Sequence, residues 1–308
     1  MAISQPELND GPAAPLEPTP SFRFFPAAPP LNRFVEYLYC SDVPREFLSL
    51  VEGMRLPEVQ AQLVFAIEDG SNFPGGLWLG NGLRACLFLQ PAHLQIIPIP
   101  GSIRYAVGAA LRPAGLRLLL PAGAECLTEA PLFALDELWG TEARALLERM
   151  VIAGTPERRR GLLERFLRAR MRRTEAPSRS FTHAFDLIQA AHGEISTEQL
   201  ADACGCSSRT LRKLAMAEAG LAPKQLARVV RIRRALELLS DAGVQLSAAA
   251  ATSAFSDHAH MSREFRELLG EPPSQLGPRI RSPAIPSFNA ERNLMSTGLL
   301  VVPRNRAS

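Results

Sequence analysis

The sequence predicts an α+β protein: a β-rich N-terminal domain, then an all-α domain of two helix-turn-helix subdomains joined by a long helix. Three observations carry that expectation. Short branched and apolar runs separated by Gly and Pro turns fill the stretch from Gln62 to Leu111. Beyond Pro177 the apolar spacing becomes helical as far as Ser274. Within that helical half, a capping residue, a short helix, a sharp turn and a second capped helix follow one another twice.

Length and charge bound the reading. A chain of 308 residues exceeds what one core holds, so about two domains are expected. The net charge of +3 is close to balance, so any surface for nucleic acid must come from local clustering of Arg and Lys. Cys40, Cys86, Cys126, Cys204 and Cys206 are odd in number and lack a framework spacing, which argues against a disulfide-stapled secreted domain. The Pro-rich residues 1–20 lack the basic and apolar regions of a signal peptide and read as a disordered leader. Polar residues and prolines break the most apolar stretch, Leu83 to Ile103, short of a membrane span. The expectation is a cytoplasmic protein without a membrane partner.

Residues 21–150 read as a β-rich domain. Its strand-like runs are Gln62–Ile67, Gly76–Leu79, Ala85–Leu89, Leu94–Ile97 and Tyr105–Leu111, with a helix near Ala143–Met150. Residues 151–178 read as a basic linker helix and hinge. Leu162, Leu163, Phe166 and Leu167 share one face there, and the arginines from Arg158 to Arg173 are expected to be solvated. Residues 281–308, without periodicity, read as a flexible tail.

The all-α domain is expected over 179–280. In its first motif Ser196 and Gln199 have capping-box spacing, Gly205 sits where a positive φ is cheap, and Ser207 caps the second helix. That helix turns Leu211, Leu214 and Ala215 inward and Ser208, Arg209, Arg212 and Lys213 outward. A cationic outer face is what reading guanine edges and phosphates in a major groove requires. In the second motif Ser256 or Asp257 caps the helix, Met261, Phe265 and Leu268 face the core, and His258, Ala259, Ser262 and Arg263 are expected outside. Between the motifs, Pro223–Leu239 reads as a spacer helix of roughly 16 residues, ~24 Å long. A rigid spacer of that size suits two helices set near one DNA turn, ~34 Å, apart.

These residues resemble the AraC/XylS-type DNA-binding domain. The matching positions are Leu200-Ala201, Gly205, Ser207 and Leu211, then Gly220-Leu221 with Pro223, then Arg231-Ile232, Ala235 and Leu238-Leu239. The last segment, Phe255-Ser256-Asp257 through His260-Met261-Ser262-Arg263, Phe265-Arg266, Gly270 and Pro272-Pro273, matches most fully. Ala254 stands where that family usually has Gly; a positive φ there would cost on the order of 1 kcal/mol. Arg112-Pro113-Ala114-Gly115 is similar to a segment of a poorly characterised domain that often precedes AraC-type domains, and that resemblance implies a sensing or dimerisation role for residues 21–150. The resemblance implies a sequence-specific transcription regulator acting on double-stranded DNA. RNA polymerase, a small-molecule effector and a second copy of the chain stand as its candidate partners. An adaptor that has lost DNA binding is a second reading.

Catalysis is not expected. The β-rich half has His93 as its one histidine, and the chain carries no nucleophile elbow, phosphate loop or dinucleotide fingerprint. An alkylation-repair enzyme with an appended helix-turn-helix would need a cysteine in a Pro-Cys-His setting, and none of the five has one. His258 and His260 diverge by about 200° on a helix and cannot share a metal. Cys204 and Cys206 lack the further ligands zinc needs and read as small buried residues. No cofactor, metal or catalytic residue is therefore assigned.

Overall fold

The computed structural model describes residues 21–44, 51–68, 85–88, 95–97, 103–120, 132–241, 243–281 and 299–303. The leader 1–20, the run Gly76–Leu79 and His93 lie outside them.

The N-terminal half is built on an antiparallel sheet. Strands β1 (Ser21–Pro26), β2 (Val35–Asp42), β4 (Ala61–Glu68), β5 (Ala85–Phe88), β7 (Ile103–Leu111) and β8 (Leu132–Ala134) stand in the order β1-β2-β7-β4-β5-β8. A smaller sheet pairs β3 (Val51–Arg55) with β6 (Gln95–Ile97) and β9 (Leu299–Pro303). Period-2 alternation divides the large sheet into two faces. Leu38, Cys40, Leu63, Phe65, Ile67, Val107, Ala109 and Leu111 enter the main core. Tyr37, Tyr39, Val64 and Ala110 form a separate cluster on the other face, joined by Phe22 and Phe24. There the rings of Phe22 and Tyr39 stack at 5.2 Å and Phe24 meets Tyr37 edge-on at 5.3 Å.

The expected strands over Gln62–Ile67, Ala85–Leu89, Leu94–Ile97 and Tyr105–Leu111 overlap β4, β5, β6 and β7, with Leu89 and Leu94 outside the described residues. The tail departs from its expectation over Leu299–Pro303, which return as β9 with Val301 opposite Gly53. Its run of Leu and Val has the branched, apolar character of a strand.

Helices α1 (Leu135–Trp139), α2 (Thr141–Ala153) and α3 (Pro156–Met171) cover the main core. The basic stretch is α3, and it is not a solvated linker. Leu162, Leu163 and Leu167 are buried against the sheet. Several of its arginines are put to internal use, while Arg158 and Arg165 are exposed. Arg159 donates from Nε to the Met150 carbonyl at 3.0 Å and lies over the Tyr105 ring. Arg170 lies over Trp139 at 4.7 Å and donates to the Leu118 carbonyl at 3.0 Å. A long side chain buries its stem and places its charge on a ring or carbonyl, which charge counting along a sequence cannot reveal.

The C-terminal half has two units. The first comprises α4 (Arg179–Ala190), α5 (Thr197–Ala203) and α6 (Ser208–Ala219) around Phe181, Phe185, Ile188, Leu200, Leu211 and Ala215. The second comprises α8 (Leu246–Thr252), α9 (His258–Leu269) and α10 (Pro273–Arg281) around Phe255, Met261, Phe265, Leu268, Leu276 and Ile280. The spacer, α7 (Pro223–Ser240), serves both. Leu226, Ala227 and Val229 belong to the first core, and Ile232, Leu236 and Leu239 to the second. Its 18 residues make it about 27 Å long, slightly beyond the expectation. Gly193 lets the turn after α4 meet α7 at backbone distance: its φ is +80°, and a Cβ there would lie 2.2 Å from the Ala227 carbonyl oxygen. Among the described residues, no helix is long and apolar enough to cross a membrane.

Candidate nucleic-acid interface

The first motif is closed by hydrogen bonds at each junction. Gln199 N–H donates to Ser196 Oγ at 3.1 Å, and Ser196 N–H donates to Gln199 Oε1 at 2.9 Å. The turn follows, with Gly205 at φ +63° and Cys206 N–H donating to the Ala201 carbonyl at 3.0 Å. Ser207 Oγ then accepts from Thr210 N–H at 3.1 Å and starts α6. Each cap satisfies a backbone donor that the helix leaves open.

This geometry fixes the roll of α6. Leu211 and Ala215 are buried, so Arg209, Arg212 and Lys213 project into solvent, with Ser208 half-buried at the helix start. Among the described residues, none of these three cations is engaged in an ion pair. Cys204 and Cys206 are half-buried, more open than expected, and pack on the first core. The Cys204 thiol donates to the Ser180 carbonyl at 3.3 Å. Partial burial, and secondarily Cys206, push its pKa up.

The second motif repeats the plan with a costlier turn. Phe255 N–H donates to the Ala250 carbonyl at 3.1 Å, as Cys206 does to Ala201. Ala254 occupies the place of Gly205 and has φ +58°. Only glycine takes that conformation freely. Beside it, Ser253 is fully buried, and its Oγ has no hydrogen-bond partner among the described residues. Of the two expected caps, Asp257 is the one used. Its Oδ1 accepts from His260 N–H at 2.6 Å, and that bond holds its carboxyl below the ordinary range.

On α9, His258, Ala259 and Arg263 are exposed, as expected. Ser262 requires a correction, since it is only 8% exposed. It lies three residues before Phe265 and seven before Leu269, both buried, so it falls on the flank of the core-facing stripe. Arg266, exposed and one turn after Arg263, was missed by the sequence reading. Its i,i+3 spacing from Arg263 was the available signal. His260 is not on the outer face: its ring meets Phe255 edge-on at 5.6 Å, with Nδ1 3.1 Å from Ser256 Oγ. Arg228 of α7 pairs with both Glu264 and Glu267, tying α9 to the spacer.

Two helices with exposed cations, α6 and α9, thus belong to the two units that share α7. A helix-turn-helix domain family matches residues 200–279. A probable AraC family transcriptional regulator from Rhodopseudomonas palustris is 32% identical over 34% of this chain and 100% of its own, with a TM-score of 0.31. A regulator with an AraC-type DNA-binding domain from Chromobacterium violaceum is 24% identical over 38% of this chain and 92% of its own, with a TM-score of 0.30. ToxT from Vibrio cholerae covers more, 84% of this chain and 98% of its own, at 12% identity and a TM-score of 0.39. No curated protein sequence matches the chain significantly.

Proposed function

The chain belongs to the AraC family of transcriptional regulators, and we propose that it reads DNA by setting α6 and α9 in adjacent major grooves. As a member of that family it is a DNA-binding transcription regulator. In the proposed complex Arg209, Arg212 and Lys213 of α6 meet guanine edges and phosphates. His258, Ala259 and Arg263 of α9 occupy the next groove, with Arg266 beside them. Ser208 and the N-terminus of α6 hold a phosphate. The observation that carries this reading is the α6 face: three exposed cations on a doubly capped helix, none committed to a carboxylate among the described residues. The second helix has a strained turn and fewer outward cations, so it contributes less affinity and serves mainly to fix the alignment on the duplex.

The N-terminal half modulates that binding in this proposal. A cleft of about 590 Å³ between Leu118, Leu138, Trp139 and Arg170 has the size of a small-molecule site, with Arg117, Arg173, Glu142 and Glu175 on its walls. An organic effector there would touch Arg117, which also contacts α6 through Glu218. A second copy of the chain and RNA polymerase are the remaining proposed partners.

Mobility-shift titration of the full chain on fragments selected from genomic DNA tests the DNA reading. Arg212→Ala is expected to relax base preference at one position by about 1–3 kcal/mol and to leave other positions unchanged. An unchanged preference removes Arg212 from the reading set. No specific binding, with a flat salt dependence, overturns the proposal.

A further inference from the structure

Residues of the N-terminal half lie inside the cores of both DNA-binding units. The connector between β3 and β4, Leu56-Pro57-Glu58-Val59-Gln60, crosses α7. Leu56, fully buried, belongs to the core of the second unit with Ile232, Leu236 and Phe265. Val59, three residues later, belongs to the core of the first with Phe181 and Leu226. Between them Glu58 pairs with Arg233 of α7 at 2.8 Å, with side chains 3% and 10% exposed.

A second tie reaches the first unit alone. In the 3₁₀ turn Pro113–Leu118, Ala114 joins the same core, and Arg117 donates to Glu218 Oε1 at 2.7 Å. The Glu218 side chain is 2% exposed. The same oxygen accepts from Ser178 N–H at 3.2 Å, at the cap of α4. One carboxylate therefore gathers α6, the start of α4 and the N-terminal half.

These contacts straddle the spacer. A rotation of one unit against the other about α7 must withdraw Leu56 or Val59 from its core, or break a buried ion pair. Separating the partners of the Glu58–Arg233 pair would leave a buried charge without compensation, which opposes such a movement. We propose that Leu56, Glu58, Val59 and Arg117 are positioning residues for DNA recognition. They lie outside the helix-turn-helix region and hold the separation and angle between α6 and α9. On this account the N-terminal half forms part of the ruler that sets which spacing of base contacts the protein accepts. The inference rests on the two-groove reading above.

The full chain is tested on a selected fragment and on versions with one or two base pairs inserted or removed between the two contact blocks. Wild type is expected to lose at least tenfold in affinity per altered spacing. Arg117→Gln, a change at a partly exposed side chain, is expected to cut that penalty below threefold, with Arg117→Lys restoring it. Leu56→Ala should act likewise. Because Leu56→Ala can impair folding, Val59→Ala is tested beside it for the connector, and the Arg117 pair tests the tie to the first unit.

A second measurement needs no DNA. Spin labels placed by unnatural amino acids at the exposed Glu198 and Gln275 report the distance between the units. A single narrow distribution that broadens in Arg117→Gln supports the clamp. Identical distributions, or identical spacing profiles, in wild type, Arg117→Gln and a folded Leu56→Ala or Val59→Ala overturn it. A narrow distribution that broadens in the variant, in a chain with no specific DNA binding, overturns the two-groove reading and upholds the clamp.

Discussion

Replacing Ala254 with glycine relieves the turn of the second unit. A non-glycine residue at φ +58° costs roughly 1–2 kcal/mol in the left-handed region. Glycine returns about 0.4–1 kcal/mol of that through the greater freedom of its unfolded chain. The net expectation is a gain of ~0.5–1 kcal/mol, confined to α8, the turn and α9. Because the chain has more than one core, a single unfolding midpoint would mix several transitions. Hydrogen exchange resolved by peptide is the suitable assay. Amides of α8 and α9 that open locally should become about two- to fivefold better protected, the equivalent of that free energy. Those of α5 and α6 should not change. Unchanged or weaker protection across residues 246–269 would show that the positive φ is not a cost to the native state, and the argument for an unequal pair of motifs would lose its energetic basis.

Gly193→Ala is expected to destabilise the first unit by about 2–4 kcal/mol, since the new methyl would meet the Ala227 carbonyl at 2.2 Å with φ already positive. Hydrogen exchange resolved by peptide over α4, α5 and α6 checks this, and unchanged protection there contradicts the close approach. The Cys40 thiol is pushed up to about 11 by burial, so it should resist maleimide at pH 8 in the folded chain. Mass-mapped alkylation of Cys40 at the rate of a free thiol would refute that placement. Asp257 has its carboxyl held low by the His260 amide, so its folded value lies below its unfolded one. Its contribution is present above the ordinary carboxylate range and is lost as pH falls through the folded value. Acid titration of Asp257→Asn should therefore lack the lowest-pH loss of protection in α9 that wild type shows.

Much of the C-terminal half was legible because its signals are local. A capping box, a turn glycine and an apolar stripe each act within about ten residues, and Ser196, Gly205, Leu211 and Phe265 stand where those rules put them. The face of α6 followed from the same stripe. Ser262 was misplaced because it borders the stripe on α9, where one helical position separates inside from outside. The illegible parts depend on distant partners. The arginines of α3 read as solvated because Tyr105 and Trp139, which receive two of them, lie far away in sequence. The short run Leu299–Pro303 has strand composition, but its pairing partner β3 lies more than 240 residues earlier. Leu56 and Glu58 carried no signal, since their partners in the second core and on α7 follow more than 170 residues later.

Hydroxyl-radical and methylation footprinting of the full chain on one selected fragment tests the two-helix account most directly. Two protected major-groove blocks about one helical turn apart on a single face of the duplex are expected. Arg212→Ala should lose guanine protection in one block and Arg263→Ala should lose contacts in the other. A single block, or two blocks that both respond to Arg212→Ala, would contradict the assignment of α6 and α9 to separate grooves.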